Sequence, residues 1–531
     1  MNSNDNYRGG FGDPSNNDGA DTDSPTPCVL TDRATGVVVC SAAGDALGAG
    51  YEFGAAFGED IPVLMAGGGS FGWAPGEWTD DTQLALVILQ ALFEGDSHTD
   101  GYDLGGYQIA SIEQGFRDWF SSGPADVGIQ TSAVLSGLHP LAERAVSYCK
   151  NKSPVPAGNG SLMRTGPIAL AYPENPEAIA ALATSVSELT HAAADCVDAC
   201  VLWSVAIDHT LHNAPGSATP WDWAEPLLDA VEYLPTAQRQ QRWVHLIEEA
   251  TTADPRDFTN NGWVVHAFQA ALAAICSTPV PDGPCHGMHV QLVLEKIVRA
   301  GGDTDTVAAI AGALLGARWG VTALPFQWRR KLHGHRVYNE EVRHCADLER
   351  LARGVYMSGD PTNPWPDRET WLPYYEQTFG DRPYRLEISG IEFGNVGALA
   401  GAVADGADTV VSLCRMGTNE VPLGVEHHVL GFIDSNEADN PNLPLLLKEL
   451  VEGLDQYLLE DRKVFVHCVA AANRTPTSAA AWLVHLQELQ AKEALVSAGK
   501  QLRTWQYGPK AFQAAAVMAL EEYELGEGGP S

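Results

Sequence analysis

Two Asp-rich stretches far apart in the chain, Thr79-Asp80-Asp81 and Gly301-Gly302-Asp303-Thr304-Asp305-Thr306, each open a long apolar run at helical spacing. The first leads into Thr82 to Leu89, the second into Val307 to Gly316. If the two helix starts meet in the fold, four carboxylates and several hydroxyls share one pocket. Like charges that close raise each other's pKa and repel unless cations lie between them. A ligand set made only of oxygen suits hard cations, Mg²⁺ or Mn²⁺. Either stretch taken alone has a simpler reading as an N-cap, because Ser, Thr and Asp are favoured there.

Ala- and Leu-rich runs with apolar residues at helical spacing, such as Ala178 to Ala183, Val197 to Ile207 and Phe268 to Ile275, predict a nearly all-α first domain over 31–352. Before it, the segment 1–30 is mostly polar and Gly-rich and is expected to be a disordered tail. From 353 to 385 Pro361, Pro364, Pro366, Pro373 and Pro383 interleave with Trp365, Trp371, Tyr374 and Tyr375, the texture of a docked connector. Beyond it, Thr409 to Cys414 and Lys463 to His467 read as short buried strands and Leu445 to Leu459 as a helix, so 386–525 is expected to be a separate α/β domain.

The net charge of −36, from 32 basic and 68 acidic residues, argues against a general nucleic-acid surface, which needs clustered Lys and Arg. No uncharged run approaches the roughly 20 residues of a membrane span, and no basic start precedes an apolar core, so a cytoplasmic protein without membrane contact is expected. Ten Cys without framework spacing predict reduced thiols. Cys196 and Cys200, one helical turn apart, read as core residues. Cys285, His286 and His289 lack a clear fourth ligand for tetrahedral zinc.

Other segments join the Asp-rich pair in a fixed order: Gly44-Asp45-Ala46-Leu47-Gly48-Ala49-Gly50-Tyr51-Glu52, Asp126 to Thr131, Gly158-Asn159-Gly160-Ser161-Leu162-Met163-Arg164, Leu189-Thr190-His191 and Gly262 to Val265. Together, from about Arg33 to Gly320, they closely resemble the ADP-ribosylglycohydrolase family. That resemblance implies an all-helical fold and hydrolysis of the glycosidic bond at the anomeric carbon of ADP-ribose, in an ADP-ribosylated protein or a small ADP-ribose conjugate. It implies two divalent ions, Mg²⁺ or Mn²⁺, held by Thr79, Asp80, Asp81, Asp303, Asp305 and Thr306. It also implies Glu52 and Asp126 near the substrate for acid or base work, and Gly158, Asn159, Gly160 and Ser161 as a loop for phosphate or ribose. The residues themselves leave alternatives: Glu52 as a solvent-facing carboxylate, the glycine loop as a tight turn, and His191 as a structural histidine rather than a ligand contact.

A second motif, His467-Cys468-Val469-Ala470-Ala471-Ala472-Asn473-Arg474-Thr475, follows a predicted strand and precedes a predicted helix. It resembles the signature of cysteine-dependent tyrosine and dual-specificity phosphatases. Backbone N–H groups between Cys468 and Arg474 can curl around a phosphate, Arg474 can clamp its oxygens, and the helix start favours a Cys468 thiolate that attacks phosphorus. Thr475 is expected to donate to that sulfur. Asp434 is the expected acid for the leaving oxygen, with Asp439 a competitor. Ala471 stands where the phosphatase loop commonly has Gly, which puts turnover in this half in question. The multidomain reading is therefore an all-α ADP-ribosylglycohydrolase-like domain followed by an α/β cysteine-phosphatase-like one that takes a phosphorylated substrate. An alternative makes the phosphatase the main activity and the helical domain its recruiter of ADP-ribosylated targets.

Overall fold

The computed structural model describes residues 25–95, 104–216, 219–337, 340–357, 371–379, 382–417, 419–502 and 509–526. Its first half is built on one pair of helices. Helix α1 (Pro27–Gly48) starts where Thr26 Oγ1 accepts the Val29 N–H at 3.3 Å, with Pro27 in the first turn. From Thr31 onwards nearly all of it is buried, and accordingly it is apolar on all sides rather than on one stripe. Against it, antiparallel, lies the helix Thr304–Trp319, which closes the Asp-rich stretch.

Small residues fix that crossing. A Cβ at Gly48 would run into the backbone of Asp305, one at Gly44 into Ala308, one at Gly312 into Cys40, and one at Gly36 or Gly316 into the facing glycine. The two backbones touch along their whole length. Around this pair pack helix α2 (Asp80–Gly95) and the helices Ala194–Asn213 and Val264–Ser277, giving one apolar core. The half is nearly all α, its described exception being a two-residue ladder of His333–Gly334 with Arg343–His344.

The second half is a five-stranded sheet of β1 (Arg385–Ile388), β2 (Ile391–Asn395), β3 (Thr409–Ser412), β4 (Glu426–Val429) and β5 (Val464–Cys468), in the order β1-β2-β5-β3-β4. The β1–β2 pair is antiparallel and the others are parallel. Central β5 has all five residues buried, the pattern of a covered parallel sheet. The helices that cover it include Leu443–Leu459, Arg474–His485 and Ala511–Gly526.

The structure shifts the expected boundaries. Ordered helix begins at Pro27, inside the segment read as tail, and residues 1–24 lie outside the described residues. Helix Cys345–Tyr356 runs across residue 352, because Leu351, Ala352 and Val355 bury one continuous face. Pro361, Pro364, Trp365 and Pro366 also lie outside the described residues. Trp371 and Tyr375 pack on Val396, Cys414 and Val469 of the sheet half.

The halves are bonded to each other through buried groups. Phe326 belongs to the core of the sheet half, and its N–H donates to Glu449 Oε2 at 2.9 Å. Asn442 Nδ2 donates to Trp319 O at 2.6 Å and Thr322 Oγ1 at 2.9 Å, while Arg329 donates to Val429 O at 3.1 Å. Beside this seam opens a cavity of about 1420 Å³, lined from one half by Asp32 and Arg350 and from the other by Asp434 and Arg474.

Candidate active site and metal centre

The carboxylates meet because the glycine-packed pair aims them at each other. Gly48 against Asp305 puts the last turn of α1, and with it Asp45, beside the start of the Thr304–Trp319 helix. Asp45 is fully buried and caps α2: it accepts the N–H groups of Thr79 and Thr82 at 3.0 Å and the Thr82 hydroxyl at 2.6 Å. The cap of α2 thus comes from another helix. Asp80 and Asp81 are not needed for it, and the N-cap reading of that stretch fails.

The Asp303 side is held by a second link. Phe53 N–H donates to Gly302 O at 2.7 Å and Gly302 N–H to Gly54 O at 3.0 Å, which ties the Glu52 loop to the Asp303 loop. Phe53 takes a left-handed φ of 62°, uncommon for a bulky residue, to make that turn. Asn261 Oδ1 accepts the Asp303 N–H at 3.0 Å, and Asp303 Oδ2 accepts from Asn159 Nδ2 at 2.8 Å.

Two sets of three carboxylates result. Asp45, Asp81 and Asp305 each offer an oxygen, all within 4.8 Å of one another, and Glu52, Asp303 and Asp305 do the same. Asp305 belongs to both. Asp80 and Asp126 belong to neither set; the charges of Asp126, Asp45, Glu52 and Asp303 act on the buried Asp80 carboxyl, and that of Asp303 on Asp126. Thr79 Oγ1 donates to Asp81 Oδ2 at 3.2 Å, and Thr306 Oγ1 faces Met163 Sδ at 3.9 Å.

Burial, then Asp303, Asp126 and Asp45, push the Glu52 carboxyl up to about 8. Burial drives Asp45 up to about 6 against the hydrogen bonds from Thr82 and Thr79. Asp80, Asp81 and Asp305 rise well above the usual range through burial and their like-charged neighbours, and Asp126 and Asp303 rise mainly through burial. Glu52 Oε2 and Asp81 Oδ1 are buried without a hydrogen-bond partner. An all-oxygen cage with bare buried oxygens and mutually repelling charges fits hard divalent cations.

A family model described as ADP-ribosylglycohydrolase matches residues 26–363. The chain belongs to the ADP-ribosylglycohydrolase family. It is 29% identical over 314 residues to ADP-ribosylarginine hydrolase Tri1 of Pseudomonas putida (strain GB-1), covering 58% of this chain and 76% of that protein. It is 28% identical over 285 residues to human ADP-ribosylhydrolase ARH3, covering 49% of this chain and 75% of that one. Among solved structures, an ADP-ribosylglycohydrolase-related protein complex aligns at 27% identity and TM-score 0.46, over 62% of this chain and 99% of the other.

The remaining expected residues of the glycohydrolase half divide. Gly158 bridges to Trp263, and the Asn159 N–H donates to Gly262 O at 3.2 Å, which places the Gly158–Asn159–Gly160 turn beside Asp303. Ser161 instead turns inward, its hydroxyl bonded to Ser187 and Cys200. His191 is 2% exposed, with Gly160 against its ring. Cys196 and Cys200 are core residues as expected, and His286 and His289 have ring nitrogens on backbone carbonyls. The residue that sequence reasoning left out of the site is Asp45. Its signal was a lone carboxylate inside an otherwise apolar helical run, a place where a charge persists only with partners.

In the sheet half the Cys468–Arg474 loop leaves the end of β5 and enters the helix Arg474–His485. Ala471 adopts φ 52° there, the left-handed conformation for which Gly is usual. Arg474 NH1 donates to Leu413 O at 2.6 Å and Phe432 O at 3.1 Å, and its Nε, 3.8 Å from Asp434 Oδ2, is buried without a hydrogen bond. The structure therefore brings Asp434 to the loop, while Asp439 pairs with Ser435. Asp434 Oδ1 also accepts from Lys510 at 2.8 Å and Asn473 at 3.2 Å. Thr475 departs from expectation. Its hydroxyl donates to Gly394 O at 3.1 Å and accepts the Cys468 N–H at 2.9 Å, so its proton goes to β2 rather than to the thiol.

Proposed function

We propose that the glycohydrolase half cleaves the N- or O-glycosidic bond of ADP-ribose conjugates, reversing ADP-ribosylation of a protein or small molecule. The observation that carries this is the pair of three-carboxylate sets joined at Asp305, with Glu52 Oε2 and Asp81 Oδ1 bare. Two Mg²⁺ or Mn²⁺ ions would be held by Asp81, Asp303 and Asp305, helped by Thr79, Asp80 and Thr306, with Asp45 and Glu52 facing the same space. When bound, such ions lower the pKa of a water and stabilise charge as a glycosidic bond breaks.

The chain's own groups supply the rest. Glu52, whose Oε2 is unbonded at the margin of the carboxylate set, is suited to pass a proton to or from the reacting oxygen. Asp126 borders the cluster for the complementary transfer. The Gly158–Gly160 turn, with glycines on both sides of Asn159 and the Asn159 side chain held on Asp303, lets a ribose or diphosphate approach the backbone. The relatives named for ADP-ribosylarginine make arginine conjugates the first substrates to try. The test is release of ADP-ribose across arginine-, serine- and nucleotide-linked conjugates. Activity should vanish in excess chelator, return with Mg²⁺ or Mn²⁺, and be largely lost in Asp81→Asn and Asp305→Asn. Full turnover in chelator would refute the metal-dependent reading.

A second reading concerns the sheet half. The approach of Asp434 to Arg474, with Ala471 already in the left-handed conformation, supports a cysteine-dependent phosphatase with Cys468 as nucleophile and Asp434 as acid. Hydrolysis of an aryl phosphate by the full chain, abolished in Cys468→Ser, tests it. If only that activity is found, the helical half is better described as a recruiter of ADP-ribosylated targets.

A further inference from the structure

His191 is tied to the rest of the protein through one ring nitrogen. Its Nδ1 lies 2.7 Å from Thr190 Oγ1, and that same oxygen accepts a hydrogen bond from Arg164 NH2 at 2.6 Å. Arg164 and Thr190 are 0% exposed and His191 is 2% exposed. A guanidinium can only donate, so Arg164 occupies an acceptor site on the hydroxyl and leaves the hydroxyl proton to be placed. Among the described residues its one acceptor is His191 Nδ1. A ring protonated at Nδ1 would strand the hydroxyl proton in a dry interior, at about 1–3 kcal/mol for a buried unsatisfied group. Nδ1 therefore accepts, and the neutral ring carries its proton on Nε2.

The groups around the ring keep it neutral. Arg164 stacks over Phe116 at 4.3 Å, with Nε and NH1 buried and unbonded. Burial lowers it to about 10, so it remains charged at neutral pH. From the helix Ala194–Asn213 come the thiols of Cys196 and Cys200, bonded to Gly158 O at 3.3 Å and Ser161 Oγ at 3.4 Å. From the helix Ile129–Leu135 comes Gln130, whose amide donates to Thr190 O at 3.2 Å. None of these is a carboxylate that would draw a second proton onto the imidazole, and burial with the Arg164 charge pushes His191 down to about 3.

The free end of the ring looks at the glycine turn. Nε2 has no hydrogen-bond partner among the described residues, and a Cβ at Gly160 would stand 3.2 Å from it, one at Gly158 3.7 Å. We infer that Arg164 and Thr190 are positioning residues. Through one hydroxyl they lock His191 as a donor-only Nε2–H group beside the Gly158–Gly160 turn, where it takes an acceptor oxygen of the ligand and cannot act as a base. That this oxygen belongs to the ribose or diphosphate of an ADP-ribose conjugate rests on the function proposed above, whereas the lock itself does not.

The test uses the full chain labelled with ¹⁵N-histidine, with the His191 signals assigned by their loss in His191→Gln. The lock predicts a single neutral Nε2–H tautomer that does not titrate between about pH 5.5 and 8.5, where an ordinary histidine would. The near-isosteric Thr190→Val should give mixed tautomers and lose about tenfold in kcat/KM, mostly through KM, as expected for one hydrogen bond. Thr190→Ser should restore both. An Nδ1–H tautomer or a titration in the wild type would overturn the lock, as would a Thr190→Val spectrum identical to the wild type. Saturating free ADP-ribose should shift the Nε2–H proton, and no shift would overturn the donor role. If the tautomer and the shift are seen but no conjugate is hydrolysed, the proposed hydrolysis fails and the lock stands.

Discussion

Replacing Asp45 would remove more than one negative charge. Its carboxylate terminates α2 from a neighbouring helix by accepting three donors, and its remaining acceptor capacity faces Asp81 and Asp305. Asp45→Asn presents an amide NH₂ where only acceptors fit. We expect a loss of about 1–3 kcal/mol in denaturant unfolding from the buried donors left unpaired, together with weaker Mg²⁺ binding by calorimetry. The same cluster sets how stability follows pH. Unfolded carboxyls titrate at about 4, whereas in the fold Asp45 titrates at about 6 and Glu52 at about 8. Groups whose folded pKa is raised contribute stability that is complete below the unfolded value and lost as pH rises through the folded one. The buried histidines, held neutral in the fold, act in the opposite sense but only up to about pH 6.5. Chelated protein should therefore melt at progressively lower temperature from pH 7 to pH 8, and the rise produced by excess Mg²⁺ should be larger at pH 8 than at pH 7. A melting temperature in chelator that climbs over that range would contradict this picture of the cage.

At the scale of elements, the helix pair depends on missing side chains. A methyl at Gly48 meets the backbone of Asp305, which cannot turn aside as a side chain could. Overpacking of this kind costs about 1–3 kcal/mol, and here it also pries Asp45 from Asp305. Gly48→Ala should thus lose metal affinity out of proportion to its stability, whereas Gly316→Ala, at the far end of the same contact, should lose stability alone. Calorimetric Mg²⁺ titration beside denaturant unfolding separates the two. In the other half Ala471 already holds φ 52°. Ala471→Gly removes a left-handed penalty of about 1 kcal/mol, and if that strain is what slows the loop, aryl phosphate turnover should rise. The Asp-rich helix starts and the Cys-to-Arg loop were legible in the sequence because their chemistry is local. Asp45 as a cap, and the inward turn of Ser161, were not, because each depends on a partner from another helix that no local pattern announces. The acceptor of the Thr475 proton, the Gly394 carbonyl on β2, is likewise outside the motif.

For the whole molecule, composition foretold two textures but not the seam between them. The change from Ala-rich helical runs to short apolar strands is visible along the chain. That Phe326 completes the core of the sheet half is not, since its neighbours there are distant in sequence. The helix pair ends at that seam. Asp32 of α1 accepts from Thr322 N and Oγ1, and Asn442 of the sheet half bonds Thr322 Oγ1 and Trp319 O. One end of the pair is therefore the carboxylate cage and the other is the junction, with backbone pressed on backbone between them. Such a unit has no soft layer at which to open part-way, so its amides should exchange with solvent as one cooperative group. Asn442→Ala, which frees only the junction, should speed hydrogen–deuterium exchange at Thr304 to Thr306 about as much as at Trp319. Acceleration confined to the junction would mean that the two ends breathe independently.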